Sequence, residues 1–280
     1  MELTAVSALH YSCADLTHIL EHCFQDYFVP IALTPETFAL RFGAEGMSME
    51  DSRVWQHNGE PVAIAIIARR PDAARLAAFA ISPAYRGKGL AKSMLAPLFA
   101  TLKASGIHRL YLEVIGANTA AIGLYQSLGF AITQGLTGFK AESPEPTPKA
   151  DLQPATTDAL LRAVFNAPPL NLPWLLDPLM LTRLPCEILT DNMGAWAAIT
   201  TQTLTPQLRL VFVEPASRGQ GHARSLLQTI NARYPGISTP TALPAQFAPL
   251  FVGAGFQPLP MTQHEMIWDA SAPLYPRAGS

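Results

Sequence analysis

Two loop segments of similar sequence, 132 residues apart, place the strongest constraint on how this chain can fold. The first reads Ser-Pro-Ala-Tyr-Arg-Gly-Lys-Gly-Leu-Ala over residues 82–91, and the second reads Glu-Pro-Ala-Ser-Arg-Gly-Gln-Gly-His-Ala over residues 214–223. The motif Leu-Tyr-x-x-x-Gly-Phe at residues 124–130 likewise returns as Leu-Phe-x-x-x-Gly-Phe at residues 250–256. Because such repeats mark duplicated structural units, we expect two copies of one fold.

Length and proline distribution support two domains of similar size. The 280 residues fit two domains of ordinary size, and nineteen of the 25 prolines lie after residue 140. Three prolines at alternate positions between residues 144 and 148 predict an extended linker. We therefore expect a first domain over residues 1–140, a linker over 141–150, a second domain over 151–270 and a tail over 271–280.

Composition excludes several classes of protein. With 49% hydrophobic residues and a net charge of -2, the chain is neither disordered nor a binder of nucleic acid through phosphate neutralisation. The first basic residue is Arg41, which argues against a secretory signal, and the longest apolar run, Val62 to Ala68, is too short to span a bilayer. Three scattered cysteines predict reduced thiols and no metal site. We expect a cytoplasmic protein without nucleic-acid or membrane partners, and the oligomeric state stays open.

Hydrophobic periodicity predicts alternating strands and helices in both halves. In the first half, helices are expected over residues 15–29, 34–42, 90–105 and 118–128, and strands over 52–56, 62–69, 75–81 and 110–115. In the second half, helices over residues 155–165 and 225–234 flank strands over 194–201 and 208–213. This order predicts a chain of mixed α and β structure, in the broad α/β class and more specifically α+β.

The segment from Arg86 to Ala91 is a candidate anion site. A buried strand ends at Ile81, a proline breaks it, and a Gly-x-Gly loop then opens a helix. The first N–H groups of a helix lack partners within it and lie at the positive end of its dipole, so such a loop suits phosphate or pyrophosphate. The loop lacks the Walker sequence and the third glycine of a dinucleotide fingerprint. The alternative is a plain strand-to-helix turn, which two copies in matching contexts disfavour.

The first half resembles the GCN5-related N-acetyltransferase (GNAT) superfamily over most of residues 50–135. The matching residues are Arg86, Gly89 and Ala91 in the loop, followed by Leu112, Glu113, Val114, Asn118, Ala121, Leu124, Tyr125, Gly129 and Phe130. The spacing from Glu113 through Asn118 to Tyr125 is similar to that of the ribosomal-protein N-terminal alanine acetyltransferases. Residues 24–36 are similar to a bacterial group with two such domains.

This resemblance implies tandem GNAT folds, each a mixed, mostly antiparallel sheet with helices on both faces. Acetyl-CoA would be the cosubstrate, without a metal, and would enter a splay between the strands that end at Ile81 and Ile115. The loop would hold its pyrophosphate, and Asn118 would contact its pantetheine arm or acetyl region. The implied cofactor-binding residues are Phe79, Ala80, Ile81, Arg86, Gly87, Lys88, Gly89, Leu90, Ala91 and Asn118.

Acetyl transfer to an amine needs a base and an acid. An amine with a pKa near 10 is almost fully protonated at pH 7, and its reactive deprotonated form lies roughly 4 kcal/mol higher, so a base must remove a proton. Glu113 fits that role by resemblance, and the alternative is a structural carboxylate on the sheet. Tyr125 suits the acid that reprotonates the departing thiolate, and the alternative is a half-buried aromatic with its hydroxyl in water. No cysteine lies in the matched core, which favours direct transfer.

The second half keeps the loop and loses the catalytic groups. Alignment of Phe251 with Tyr125 places Pro244 at the position of Asn118 and Thr239 at that of Glu113. We therefore expect the second domain to retain the fold without catalysing. Two alternatives stay open for the second domain. It either binds CoA or only supports the first domain. The possible second CoA loop comprises Arg218, Gly219, Gln220, Gly221, His222 and Ala223.

Together these features predict an acetyl-CoA-dependent N-acetyltransferase whose first domain transfers acetyl directly to a primary amine. The acceptor is either a small molecule or the N-terminal α-amine of a peptide. A rival hypothesis from another class is a non-catalytic acyl-CoA-binding sensor or scaffold protein, motivated by the loop at Arg218 that has no acid or base behind it.

Overall fold

The computed structural model describes residues 2–29, 31–142, 150–169, 171–200 and 206–271. The chain forms two compact units, one of Met1–Thr133 with Glu265–Ser280 and the other of Gln134–His264. This division differs from the expected boundaries, since residues 134–140 lie in the second unit and residues 265–270 lie in the first. Strand pairing explains the difference for the first of these segments, because residues 139–141 pair with residues 256–258. The expected linker and tail fall largely outside the described residues.

Six strands and four helices begin among the described residues of the first unit. They are β1 (Thr4–Ser7), α1 (Cys13–Cys23), α2 (Pro35–Glu45), β2 (Met47–His57), β3 (Glu60–Arg69), β4 (Ala73–Ile81), α3 (Leu90–Ala104), β5 (Arg109–Ile115), α4 (Thr119–Ser127) and β6 (Ala131–Thr137), whose last residues belong to the second unit. Helix α1 begins at a capping box between Ser12 and Asp15. It ends earlier than the predicted residue 29, since Asp26 takes a positive φ of 58°.

The elements that begin in the second unit follow a similar order. They are β7 (Phe139–Ala141), β8 (Gln153–Ala155), α5 (Thr157–Phe165), β9 (Cys186–Thr190), β10 (Ala195–Thr200), β11 (Gln207–Val213), α6 (His222–Arg233), β12 (Leu243–Pro244), α7 (Ala248–Val252), β13 (Phe256–Pro258) and β14 (Gln263–Asp269). The chain re-enters the first unit within β14, at Glu265. Strand β9, which local periodicity did not predict, is defined by its pairing with β10.

The sheet of the first unit opens between β4 and β5. Its order is β1-β2-β3-β4-β5, followed by the part of β14 in this unit and then β6. Strands β4 and β5 run parallel, with pairs from Ala73 opposite Arg109 to Leu76 opposite Leu112. Ala77 follows at once as a β-bulge, because Ile66 and Ile67 of β3 face Ala78 and Leu76. A bulge bends its strand, so β4 leaves β5 at this point and the expected splay is present.

Helices cover both faces of this sheet. On one face, Leu95, Leu98 and Leu102 of α3 pack with Leu112 of β5. On the other face, residues of α1 and α2, including Leu16, Phe38 and Phe42, pack against Ile64 and Ile66 of β3. The predicted fold class, a mixed sheet with helices on both faces, is confirmed for this unit.

The second unit repeats the same design. Its main sheet is antiparallel in the order β11-β10-β9-β8, and β13 pairs with β7. Strand β11 carries a bulge at Arg209, because Ala198 and Ile199 of β10 face Leu210 and Leu208. Arg209 stands 132 residues after Ala77, so the duplication includes the bulge. Helix α6 packs on one face of the sheet and α5 on the other.

Gly194 provides a test of how the hairpin between β9 and β10 supports the second loop. Its φ is 106°, and an added Cβ would lie 2.9 Å from the Cβ of Ser217 in that loop. We expect Gly194→Ala to lower the free energy of unfolding of the second unit by more than about 2 kcal/mol, through backbone strain and this clash. Urea denaturation measures the loss.

The matched control is Gly236→Ala in the same unit. Gly236 also has a positive φ, of 75°, but the nearest atom to an added Cβ is a lysine carbon 3.9 Å away. Only the backbone cost of about 1–2 kcal/mol is expected there. Equal losses for the two variants would contradict a supporting contact between Gly194 and the loop.

Candidate active site

A cleft of about 390 Å³ opens in the first unit where β4 leaves β5, beside the Gly-x-Gly loop and α4. It brings together most of the predicted site residues, namely Phe79, Ala80, Ile81, Arg86, Gly87, Gly89, Leu90, Ala91, Asn118 and Tyr125. It is also lined by residues without a predicted role, among them Cys23, Tyr27, Tyr85 and Lys92. Two predicted residues, Lys88 and Glu113, are not part of its lining.

The loop presents backbone donors to this cleft. Gly87 and Gly89 have φ values of 72° and 73°, a left-handed conformation that favours glycine. Gly89 is the N-cap of α3, and no side chain caps the helix there. The first N–H groups of α3 are therefore available to a ligand, and the helix dipole makes an anion the favoured one.

Arg86 holds the loop in place. Its Nε donates to the carbonyl of Ile81 at 2.8 Å, and its Nη2 donates to the carbonyls of Cys23 at 2.9 Å and Gln25 at 2.6 Å. The guanidinium thus joins the loop to the end of β4 and to the end of α1. Arg218 makes the first of these contacts in the second unit, donating to the carbonyl of Val213 at 3.0 Å. The shared role of the two arginines is positioning.

The side chain of Lys88, between Gly87 and Gly89, is not part of the cleft lining. The ammonium of Lys88 lies 5.1 Å from the centroid of the Tyr85 ring, a cation–π contact. The hydroxyl of Tyr85 is in turn 3.0 Å from Nδ1 of His57. The contact of Lys88 with a cofactor, which the resemblance implies, therefore has no support in the position of its side chain.

Asn118 connects α4 to a residue that carried no predicted role. Its Oδ1 accepts the N–H of Ala121 at 3.1 Å and caps α4, while its Nδ2 donates to the hydroxyl of Tyr27 at 3.1 Å. Both functions of the amide are used within the protein. The side chain shapes the wall of the cleft and fixes Tyr27 beside it.

Tyr125 lies at the wall of the cleft and is only 8% exposed. Burial, and to a smaller extent the neighbouring Tyr27, raise the pKa of its phenol above the ordinary value. The group therefore stays protonated at neutral and mildly alkaline pH, as a proton donor requires.

Glu113 belongs to a buried ion network. Arg75 donates from Nε to its Oε2 at 2.7 Å and from Nη1 to Oε2 of Glu45 at 2.6 Å. The three side chains are 3–4% exposed. Burial disfavours the charged guanidinium, but the carboxylates of Glu113 and Glu45 outweigh it and raise the pKa of Arg75. Arg75 therefore remains a cation between two buried carboxylates.

This network bears on the predicted base. A base would have to face the cleft, but the side chain of Glu113 turns toward Arg75 and is not part of the lining. The bond between Oε2 and Arg75 agrees with the alternative that Glu113 is a structural carboxylate on the sheet. Oε1 is buried and has no hydrogen-bond partner among the described residues. The role of Glu113 as a base stays a prediction, and it depends on Oε1.

Cys23 lines the cleft without the properties of a nucleophile. Burial raises the pKa of its thiol to about 12. Since the thiolate is the reactive form, a thiol that stays neutral is inert near pH 7. This agrees with direct transfer rather than with an acyl-enzyme.

Comparison with known proteins places these residues in a family. Residues 14–130 match the family model described as Acetyltransferase (GNAT) family. They form a GNAT domain. Over 95 residues the chain is 37% identical to the ribosomal protein bS18 alanine N-acetyltransferase of Escherichia coli strain K12, a match that covers 34% of this chain and 62% of that protein. The chain therefore spans less than two thirds of the length of this relative.

Solved structures extend the likeness to the second unit. A GCN5-related N-acetyltransferase from Sphaerobacter thermophilus aligns over 96% of both chains with a TM-score of 0.67 and 14% identity. A tandem GNAT protein from the clavulanic acid biosynthesis pathway aligns over 97% of this chain and 99% of its own, with a TM-score of 0.65 and 13% identity. At these identities the likeness shows the fold alone, and it confirms the expected tandem GNAT folds.

The second unit has a cavity at the place that corresponds to the cleft of the GNAT domain. It measures about 580 Å³ and is lined by the loop residues Arg218, Gly219, Gly221, His222 and Ala223. Gln220 is not part of this lining, and its amide donates to the carbonyl of Ala216 at 3.0 Å. Phe251 and Thr239 line the cavity, so neither a phenol nor a carboxylate stands at these two positions.

The described residues form neither a metal-binding cluster nor a membrane-spanning helix. No group of three or more His, Cys, Asp or Glu side chains in this part of the chain could hold a metal ion. No helix in the same part is long and apolar enough to cross a membrane.

The ion network predicts a large effect of Arg75→Met. The change leaves the carboxylate of Glu113 buried without its cation and removes one cationic partner of Glu45, which also pairs with Arg41 at 3.5 Å, so we expect the free energy of unfolding of the first unit to fall by about 3–5 kcal/mol. The control is Arg109→Met, which removes an ion pair with Asp269 from an arginine side chain that is 55% exposed. We expect a loss of about 0–1 kcal/mol there. Urea denaturation compares them, and similar losses would contradict a buried charge network.

Proposed function

We propose that the GNAT domain of the first unit is an acetyl-CoA-dependent N-acetyltransferase that transfers acetyl directly to a primary amine. The observation that carries the proposal is the position of Tyr125, a buried and protonated phenol on the same cleft as the Gly-x-Gly loop. When bound, acetyl-CoA supplies an activated acetyl thioester. The family of the domain supports this cosubstrate.

The residues of the cleft fit acetyl-CoA. The uncapped start of α3 suits its pyrophosphate, because N–H groups and the helix dipole converge there. The wall formed by Phe79, Ala80 and Leu124 suits the pantetheine arm, since it combines a strand that has left its neighbour with apolar side chains. The arrangement therefore has an anion-binding part and an apolar part in one cleft, as such a cosubstrate requires.

Each remaining group has a defined task in this proposal. Tyr125 holds a proton at its phenolic oxygen and donates it to the sulfur that leaves. Asn118 fixes the hydroxyl of Tyr27 beside the cleft. Glu113 accepts the proton of the amine at Oε1, directly or through water, while Arg75 holds Oε2. Arg75 and Arg86 act through other residues and are positioning residues.

The acceptor we favour is the N-terminal α-amine of a peptide. The relative that is 37% identical over 95 residues acts on an alanine of a ribosomal protein. The spacing of Glu113, Asn118 and Tyr125 supports the same class. A small-molecule amine is the second candidate. We also propose, from composition, that the protein acts in the cytoplasm.

A thiol-release assay with acetyl-CoA tests the function. The acceptors are an Ala-initiated peptide, the same peptide with a blocked α-amine, and a panel of small primary amines. We expect turnover with the free peptide and none with its blocked form. Turnover with small amines alone would exclude the peptide as acceptor. No turnover with any amine, despite tight binding of acetyl-CoA, would favour the non-catalytic acyl-CoA binder instead.

Tyr125→Phe tests the assigned acid. Loss of the phenolic proton should lower kcat by about 10²–10⁴, while the affinity for acetyl-CoA, measured by calorimetry, stays nearly unchanged because the ring remains. The control is Tyr11→Phe, which removes a tyrosine hydroxyl that bonds Gln56 and is not part of the cleft lining. Because burial raises the pKa of Tyr125, the donor stays protonated as pH rises, and kcat of the native protein should not fall between pH 8 and about pH 10. A variant with the native rate would exclude Tyr125 as the acid.

Glu113→Gln and Glu45→Gln form a matched pair, since each removes one negative charge from Arg75. If Glu113 is the base, kcat/KM should fall about 10²-fold or more in the first variant and only a few-fold in the second. Urea denaturation of both variants separates stability from catalysis. Equal falls in kcat/KM would assign Glu113 to the structural network alone.

A further inference from the structure

The cavity of the second unit is larger than the cleft of the first, at about 580 Å³ against about 390 Å³. Its walls are mainly apolar and come from β11, α7 and the preceding turns, with Leu208, Leu210, Phe212, Leu243 and Leu250 among them. Phe247, at the position that corresponds to Ala121 of the first unit, also lines it and is 38% exposed. A space of this size with apolar walls suits the alkyl chain of a ligand.

The ionisable side chains that line this cavity are all basic. They are Arg209, Arg218, His222 and Arg224, and none of the described residues in the lining is Asp or Glu. Two nearby carboxylates are engaged by other groups, since Asp191 bonds His222 and Glu214 accepts the indole N–H of Trp196 at 2.9 Å. The charge of the cavity therefore complements an anion.

His222 is held by a buried carboxylate. Its Nδ1 lies 2.9 Å from Oδ2 of Asp191, whose side chain is 2% exposed. Oδ1 of Asp191 accepts the N–H groups of Met193 at 2.8 Å and Ala195 at 2.9 Å, which fixes the carboxylate in the hairpin. Because Nδ1 donates to Asp191, Nε2 is the ring nitrogen left at the start of α6, and it can donate to an anion when the ring carries both protons.

The first unit has no equivalent of this pair. The strand register places Trp55 at the position of Asp191, because Trp55 pairs with Ala63 as Asp191 does with Ala195, and the 132-residue offset places Leu90 at the position of His222. The fold and its loop therefore form without an imidazole and a carboxylate at these places. The pair is a specific addition to the second copy, located where its loop and its apolar cavity meet.

We propose that this cavity is a non-catalytic binding site for an anionic amphiphile, a ligand with a phosphate-type head and an alkyl or acyl chain. The head lies at the start of α6, against His222 and Arg218, and the chain lies between β11 and α7. No reaction follows, because Phe251 and Thr239 offer neither a phenol nor a carboxylate. The proposal does not depend on the activity of the first unit.

Calorimetric titration of the full chain tests this site with saturated acyl-CoA probes from hexanoyl to dodecanoyl and with dodecyl phosphate, dodecanoate and CoA. Each probe is titrated alone and again with acetyl-CoA present, and acetyl-CoA is also titrated by itself, because its phosphate groups could enter either site. We expect affinity to rise with chain length, by up to about fourfold for each methylene that becomes buried. Binding of dodecanoyl-CoA alone identifies a CoA thioester, and binding of dodecyl phosphate as well shows that a phosphate head is sufficient.

Two substitutions separate head from chain, each introducing the residue at the corresponding position of the first unit. His222→Leu should weaken every probe with a phosphate head by the same factor, about tenfold or more. Val211→Phe, the counterpart of Phe79, should reduce the dependence on chain length by filling the cavity. If that variant does not fold, Val213→Ile, the counterpart of Ile81, replaces it. The exposed His10→Leu is the control for loss of an imidazole.

Three results would overturn the proposal. One is that no probe binds a second site. Another is an affinity that depends neither on chain length nor on the two substitutions. The third is binding of dodecanoate without binding of dodecyl phosphate or dodecanoyl-CoA, which would exclude the phosphate-type head.

Discussion

A single extra residue in β4 opens the cleft of the first unit. The bulge at Ala77 comes directly after the last pair between β4 and β5, and the strand leaves its neighbour there. Because a regular sheet would fill this gap with backbone hydrogen bonds, the cleft depends on the bulge. The second unit has a bulge at the equivalent residue, Arg209, in the pairing of β11 with β10.

The two copies share the Gly-x-Gly loop and differ in the residues that lie behind it. Each loop uses two glycines in a left-handed conformation and an arginine that bonds the last carbonyl of the preceding strand. Behind the first loop lies Tyr125, and at the same place in the second unit lies Phe251. The two copies thus share the groups that shape the loop, while the residue behind it is a phenol in the first copy and a phenyl ring in the second.

Short sequence motifs were sufficient to predict the Gly-x-Gly loop but not the ion network of Arg75, Glu45 and Glu113. Glycine at a helix start and the distance from Glu113 to Tyr125 are properties of short segments, and the structure places Tyr125 on the cleft as expected. The partner of Glu113 was missed, since Arg75 comes from another strand. A charged residue inside the apolar run of β4 was the available signal, because such a charge requires a buried partner.

The sequence by itself determined that the fold is duplicated, that each copy carries a Gly-x-Gly loop before a helix, and that the second copy lacks a phenol and a carboxylate at the matching positions. Only the tertiary structure decided that residues 139–141 belong with the second unit, that Oε2 of Glu113 is held by Arg75, and that Asp191 supports His222. The physical reason is the range of the interactions. Backbone conformation and caps depend on adjacent residues, whereas strand pairs and buried ion pairs join residues that are distant in the chain.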